Sequence, residues 1–426
     1  MIKRLKPKSE FSRNVLTLMT GTTIAQAIPI AISPILTRIY TPEDFGMFAL
    51  YMAIASIISV IATGRYEMAI MLPKEEEDVK SIVKLIMILL ATVTCISFLM
   101  VFFFNQTITN LFENQEISNW LYFLPISIFL VGLYQVYNYL LIREKNFKRL
   151  STNKIIVSAT NASTQLGFGF VISNGFGLLF GNIISYIISI YFIIKSKVAN
   201  KYFGFKNSSI KEVAKEYQNF PKYDAPSALV NVMANQLPIL ALGKFFGLGV
   251  VGFYSLMYKV LMIPISLLSS TVLDVFKQRA TEDYNKYGNC KDIYVKTLIS
   301  LVLLGIVPFT VLGIFAPEIF AFVFGENWKV AGKFAQIMAP MLFLKFVVSP
   351  LSYTFYVVGK QKINLIGQIL LFISLLTSIV IGVQMNNEYK MLVCFSVVYS
   401  FVYLFYAYYS YKYASEKTSF KNEGIR

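Results

Sequence analysis

The 426-residue chain contains no histidine. That absence removes imidazole acid–base catalysis, imidazole metal sites and histidine pH switching together. Cysteine is scarce. Cys95, Cys290 and Cys394 lie far apart in or beside apolar runs, which makes neither a disulfide framework nor a zinc spacing. Charge is thin: 15% of residues are charged, against roughly 25% in soluble domains. No Walker-type glycine-rich lysine loop is present, so nucleotide hydrolysis on this chain is not expected.

What the chain has instead is length of apolar sequence. Hydrophobic residues make up 56% of it, and its mean hydropathy is +0.59. The runs are continuous over about 20 residues, the length a helix needs to cross a bilayer, and lack the short alternation of a membrane barrel. The expected fold class is all-α: a polytopic membrane protein of about twelve transmembrane helices. They are expected near 13–38, 43–70, 81–104, 118–142, 152–173, 176–194, 221–245, 250–275, 292–315, 333–358, 363–383 and 390–411. Thr41-Pro42-Glu43-Asp44 marks the second start with an N-cap, a proline at the first helical position and a carboxylate at the third. The basic N-terminus (Lys3, Arg4, Lys6, Lys8) leads into an apolar run that continues to about Ile39 with no convincing A-x-A site, so it reads as a first membrane helix and not a cleaved signal.

Net charge is +16. In a membrane protein such an excess sets orientation, and nucleic acid is not expected as a partner. With twelve helices and the N-terminus inside, about 31 of the 39 basic residues fall on the cytoplasmic side. The outside segments keep only Arg38, Lys244, Lys329, Lys333 and Lys390. Both termini are therefore expected in the cytoplasm. The longest polar connector, about 195–222, holds Ser209 and Glu212 as a capping-box pair. Ile210, Val213, Ala214 and Tyr217 then share one helical face, which predicts a short amphipathic helix near 209–218. The connector divides the chain into six-helix halves, 1–200 and 201–426. A shift of 206 aligns Arg38 with Lys244, Gly46 with Gly252, Phe48 with Tyr254 and Leu50 with Leu256, as a parallel internal repeat would. External loops are expected at about 105–117 and 316–332.

Few residues carry chemistry. Lys259 and Lys345 are placed about ten residues into their helices, where a charge facing lipid costs several kcal/mol, so each is expected to face a wet cavity or a partner. The plainer alternative is a lysine snorkelling to an interface. The repeat puts Ala53 opposite Lys259, so the fold itself does not require that charge. Arg65 and Glu67 fall near the cytoplasmic end of the second helix, as the mouth of a pathway or as a solvated helix end before Glu75-Glu76-Glu77-Asp78. Asp224 and Asp274 are placed at comparable edges; with Glu67 they are the candidates for ion coupling. Arg38, Gln26 and Asn235 complete the candidate cavity set, although embedded amides more often stitch helices together. Pro29, Pro34, Pro125, Pro238, Pro264, Pro308, Pro340 and Pro350 are expected inside helices, where each permits a kink. The tyrosines of the last helix read as an interfacial belt before a sugar-stacking surface. No metal site is expected.

One stretch is more specific. Gly64-Arg65-Tyr66-Glu67-Met68-Ala69-Ile70-Met71-Leu72-Pro73, followed by an acidic run, resembles the R-Y-E-x-A-I-x-L-P signature of bacterial polysaccharide flippases. Phe220-Pro221-Lys222-Tyr223 through Gln236-Leu237-Pro238 agrees, as do Gly252-Phe253-Tyr254-Ser255, Pro264-Ile265-Ser266-Leu267 and Val275-Phe276. The chain thus resembles the Wzx-type O-antigen and capsule flippases of the multidrug/oligosaccharidyl-lipid/polysaccharide exporter superfamily. The resemblance implies two six-helix bundles around a central cavity, working by alternating access in the bacterial inner membrane. It implies an undecaprenyl-pyrophosphate-linked oligosaccharide as substrate, moved from the cytoplasmic to the outer leaflet, with proton or sodium coupling and no other cofactor. It implies membrane lipids, a polysaccharide polymerase and a chain-length regulator as partners. Arg65 and Glu67 match the motif residue by residue; Lys259 and Lys345 rest on depth alone. A drug or metabolite exporter of the same superfamily is the alternative, and would want acidic groups in its cavity. A polymerase would be expected to carry a large external loop, a histidine-dependent acyltransferase needs the missing residue, and a lipid II flippase would be expected to have about fourteen helices.

Overall fold

The computed structural model describes residues 10–112, 114–171, 174–195, 200–203 and 210–416. It is all-α. Twelve long helices run in chain order: α1 (Glu10–Ile39), α2 (Pro42–Ala62), α3 (Glu76–Leu111), α4 (Leu124–Arg143), α5 (Phe147–Val171) and α6 (Phe176–Lys195). Then come α7 (Ala225–Phe245), α8 (Leu248–Tyr287), α9 (Lys291–Phe324), α10 (Lys329–Leu351), α11 (Gln361–Gln384) and α12 (Glu388–Ser415). Eleven helical segments among the described residues are long and apolar enough to cross a membrane. The twelfth helix, α5, is diluted by Lys148, Arg149, Asn153, Lys154, Asn161 and Gln165, and packs between α1 and α6.

Several boundaries differ from the sequence expectation. Helix α2 stops at Ala62 instead of 70, because Gly64 (φ 59°) and Arg65 (φ 62°) both adopt the left-handed conformation that ends a helix. A 3-10 turn, Tyr66–Met71, follows. Helices α3, α8 and α9 run past the apolar stretches that announced them, so most of 105–117 and 316–332 is helical and Pro317 lies inside α9. Pro125 lies in a helix as expected, but in the first turn of α4, where its missing N–H costs nothing and no kink follows. The start of α2 is as expected. Asp44 N–H donates to Thr41 Oγ1 at 3.2 Å, and Thr41 N–H donates to Asp44 Oδ2 at 2.9 Å. The connector helix is Ile210–Glu216, with Val213 buried; Ser209, the expected cap, lies outside the described residues, as do Lys3, Arg4, Lys6 and Lys8.

By packing, the chain divides into two compact units, 1–252 and 253–426. The division expected from the connector was at 200; the packing boundary lies later because α7 and the first turn of α8 lie against α2. In the first unit the core joins α2, α3, α4 and α6 through Leu50, Ile82, Ile86, Ile128, Leu140 and Ile193. Tyr51 and Ser127 share a buried 2.6 Å hydrogen bond across α2 and α4. Lys201 anchors the connector to Glu76 and Glu144, at 2.6 and 3.1 Å. In the second unit α10 packs on α9 and α12, with Phe334 and Trp328 buried against Phe253. Tyr294 Oη pairs with Ser410 Oγ at 2.8 Å, tying α9 to α12.

The tightest backbone approach at a glycine, among the described residues, is between the starts of α2 and α8. A Cβ on Gly46 would lie 1.9 Å from the carbonyl oxygen of Leu248, and one on Gly252 would lie 1.9 Å from that of Pro42. The contact is reciprocal, and the shift of 206 that equates Gly46 with Gly252 also equates Pro42 with Leu248. Only glycine lets two helix backbones approach so closely. Gly46→Val or Gly252→Val should therefore abolish the monodisperse folded protein in fluorescence-detected size exclusion, whereas Gly313→Ala, with open space around its Cβ, should not. Normal elution of both valine variants would refute the assigned crossing.

Candidate functional site

The chain reversal after α2 builds a charged cluster. Two consecutive left-handed residues turn Arg65 and Glu67 back over the helix end, where a continuous helix would have placed them on opposite faces. Arg65 Nε donates to Asp224 Oδ2 at 2.7 Å, and its Nη1 lies 3.4 Å from Glu67 Oε1. Arg65 Nη2 meets Met68 Sδ at 3.1 Å. Glu67 is 1% exposed, and its Oε2 accepts from the buried Thr63 hydroxyl at 2.5 Å. Tyr139 of α4 lies within electrostatic range of all three charges. The turn is itself fixed from two sides. Tyr66 Oη donates to the Ala214 carbonyl at 3.0 Å, and Arg143 Nη1 donates to that of Ile70 at 2.8 Å.

The cluster is graded in solvent. The Asp224 side chain is 41% exposed and that of Arg65 22%. Burial therefore acts chiefly on Glu67 and raises its carboxyl above the usual carboxylate range; the Thr63 hydrogen bond and the charge of Arg65 oppose that rise. A buried carboxyl so placed can hold or release a proton beside a guanidinium that has a second, wetter acid to pair with. Sequence reasoning named Arg65, Glu67 and Asp224, but put the first two on α2 and treated the third separately. It missed Thr63 and Tyr139, and only the T-G-R pattern after an apolar helix hinted at the turn.

The other candidates are not gathered there. Lys259 and Lys345 belong to the second unit, are half-buried, and make no hydrogen bond or ion pair with the described residues. Lys259 is about 17 Å along α8 at 1.5 Å per residue. Lys345 is about 24 Å along α10, farther than expected because α10 begins at Lys329. Asp274 is not at a helix edge: α8 continues past it, and it lies 72% exposed with Lys277 at 3.7 Å. Arg38 Nη1 donates to the Pro34 carbonyl of its own helix. Asn235 is exposed and bonds back to Asn231 at 2.9 Å. Gln26 keeps a buried Oε1 without a partner. The last helix holds a tyrosine ladder. Tyr403 and Tyr406 are buried, Tyr399 stands 4.2 Å from Phe395, and Tyr258 is within electrostatic range of Tyr399 and Tyr403. These rings pack against one another within the second unit. Lys154 of α5 donates to Thr22 Oγ1 of α1 at 3.1 Å. No group of three or more acidic or cysteine residues that would hold a metal ion occurs among the described residues.

Comparison with known proteins gives this geometry a context. Residues 35–333 match the family described as polysaccharide biosynthesis protein. The teichuronic acid biosynthesis protein TuaB of Bacillus subtilis (strain 168) is 23% identical over 269 residues, 59% of this chain and 52% of that protein; the chain thus spans about half the length of this relative. Among solved structures, the lipid II flippase MurJ in an inward closed conformation aligns with a TM-score of 0.70 at 15% identity, covering 93% of this chain and 87% of that one. An inward-facing multidrug resistance MATE family transporter of the MOP superfamily aligns at 0.60 and 14% identity, covering 94% of each chain. At these identities the likeness is one of fold.

Two outcomes test the cluster. Arg65→Ala, which strands a buried carboxylate, should cost roughly 3 kcal/mol of stability. Asp224→Asn, on the wetter side, should cost about 1 kcal/mol or less. Equal losses in thermal unfolding of the purified protein would contradict the graded burial. The sign with pH is also set. Glu67 binds its proton more tightly in the folded chain than in the unfolded one, so its ionisation opposes folding, and that penalty grows as pH rises through the carboxylate range. Wild type should gain thermal stability relative to Glu67→Gln as pH is lowered toward about 5. A difference that is flat or of opposite sign would contradict the assignment.

Proposed function

The chain belongs to the polysaccharide biosynthesis protein family, and from that premise we propose that it is a flippase for a lipid-linked oligosaccharide. The substrate in this reading is a repeat unit joined by pyrophosphate to undecaprenol, moved from the cytoplasmic to the outer leaflet by alternating access between two six-helix halves. The protein resides in the bacterial cytoplasmic membrane with both termini inside, as the distribution of basic residues favours. Membrane lipids surround it, and the polymerase and chain-length regulator of the pathway act next to it.

One observation carries the substrate class. Lys259 and Lys345 stand within membrane helices, and neither has a carboxylate to neutralise it among the described residues. From Leu248 to Leu273 and from Lys329 to Leu351 there is no aspartate or glutamate at all. An unpaired ammonium in a low-dielectric setting is stabilised by an anion, and a pyrophosphate supplies one. The relative is named for the biosynthesis of teichuronic acid, by its name an acid. An exporter of cationic drugs on the same fold would need the opposite charge in these helices.

Arg65, Glu67 and Asp224 have a different role in this reading, as an ion-coupled latch on the cytoplasmic side. Ionised Glu67 shares Arg65 with Asp224. Protonation of Glu67 removes one of the two anions and leaves the guanidinium to Asp224 alone, which changes the hold of the turn on the start of α7. The coupling ion in this scheme is a proton, because Glu67 is the buried carboxyl and its oxygens are already occupied by Thr63 and Arg65.

Surface polysaccharide in a host whose own flippase gene is deleted provides the test. Lys259→Ala and Lys345→Ala should each lower it at least tenfold while the protein still reaches the membrane. Arginine at either position should retain more activity than alanine. Full polysaccharide with both alanine variants would sink the proposal.

A further inference from the structure

In the second unit, α8 and α12 bring together tyrosines that the lysine reading does not use. Tyr254 and Tyr258 of α8 stack with ring centres 5.9 Å apart. On α12, Phe395 and Tyr399 stand 4.2 Å apart, and Tyr403 follows Tyr399 at 6.4 Å. Tyr399 is within electrostatic range of both α8 tyrosines, and Tyr403 of Tyr258. Depth separates these rings from an interfacial belt. At 1.5 Å per residue, Tyr254 and Tyr258 lie about 9 and 15 Å along α8, and Tyr399 and Tyr403 about 17 and 23 Å along α12. Those positions fall inside a hydrocarbon core about 30 Å thick, whereas belt tyrosines keep to its two edges.

The hydroxyls supply a second observation. Those of Tyr254, Tyr258, Tyr399 and Tyr403 make no hydrogen bond with the described residues. Tyr406, one turn further along α12, shows the ordinary outcome and donates to the Asn364 carbonyl at 2.9 Å. The hydroxyls of Tyr254, Tyr399 and Tyr403 are not among the unpaired side-chain atoms sealed within the described residues, and Tyr258 is 38% exposed, so all four open on accessible space. Lipid offers a phenol no partner, and buried tyrosines ordinarily find one. Four open hydroxyls on two helices therefore mark a surface for a polar molecule.

A pyranose ring meets both features. Its C–H face stacks on aromatic rings, and the hydroxyls at its edge pair with phenols. An acyl chain would leave the phenols unpaired, and a small anion gains nothing from the rings. We propose that Tyr254, Tyr258, Tyr399 and Tyr403 form the surface that binds the saccharide of the transported lipid. This assignment rests on the flippase reading and divides the substrate between two sets of residues. Lys259 follows Tyr258 in the chain and lies at its depth, so a pyrophosphate held there places the first sugar beside the rings. The lysines supply affinity for any lipid pyrophosphate, and the tyrosines separate a sugar-bearing lipid from a bare one.

Native mass spectrometry of the full chain tests this with two probes, undecaprenyl pyrophosphate and the same lipid carrying one N-acetylglucosamine. Wild type should retain the glycosylated lipid about tenfold more tightly than the bare one. Tyr258→Ala, at the exposed ring, should bring that ratio to near unity without weakening the bare lipid. Tyr258→Phe and Tyr403→Phe, which keep the rings, should each lose part of it. Lys259→Ala should weaken both probes alike, and Tyr408→Ala, at a residue of α12 that is 64% exposed, should change neither. Equal retention of the two lipids by wild type, or a ratio unmoved by both Tyr258→Ala and Tyr403→Phe, would overturn the saccharide surface and leave the flippase reading standing. Retention of neither lipid would remove both.

Discussion

The crossing of α2 and α8 through Gly46 and Gly252 is the contact on which the rest of the first unit depends. Each glycine faces the carbonyl four residues before its counterpart, so the two helix starts meet backbone to backbone. Apolar side chains cannot drive such an approach inside a bilayer, where lipid is equally apolar; close backbone contact and weak polar attraction can. With that crossing in place, α7 lies against α2, and Gly243 lets Leu50 fill the space between them. The start of α7 is then positioned to offer Asp224 to the turn at the other end of α2.

That turn converts a packing arrangement into an electrostatic one. Two successive left-handed residues are costly for any chain, and for Arg65 the cost is larger than for Gly64. The conformation persists because the neighbours over-determine it, with Tyr66 and Ile70 each tied to another element. What the strain achieves is burial of Glu67 next to the guanidinium that partly neutralises it. A straight helix would have put the two residues on opposite faces and left no pair between them.

Much of this was legible beforehand. Continuous apolar runs set the helix count, and Thr41-Pro42-Glu43-Asp44 set the start of α2, because those signals are local. The end of α2 was not legible, since apolar and semi-polar residues continue through Ile70 and hydropathy does not register backbone handedness. The length of α8 was missed for the opposite reason: polar residues such as Lys277, Glu282 and Lys286 continue the helix beyond its apolar stretch, where only the backbone reveals it. Arg65 and Asp224 are 159 residues apart, and no pattern in one sequence pairs them.

The shift of 206 residues gives these placements a common logic. It equates Pro42 with Leu248 and Gly46 with Gly252, the four residues of the crossing, so the scaffold positions are retained in both copies. Where the chemistry lies, the copies part. Arg65 and Glu67 correspond to Thr271 and Leu273, and Lys259 corresponds to Ala53. The titratable carboxyl and its arginine belong to one copy and the unpaired lysine to the other. A scaffold with matched helix starts is well suited to rocking between two arrangements, yet symmetric charges would make both arrangements equally receptive to an anion. In the proposed flippase, placing Glu67 in one half and Lys259 in the other removes that equivalence, so that a difference in proton activity would bias which arrangement holds an anionic substrate.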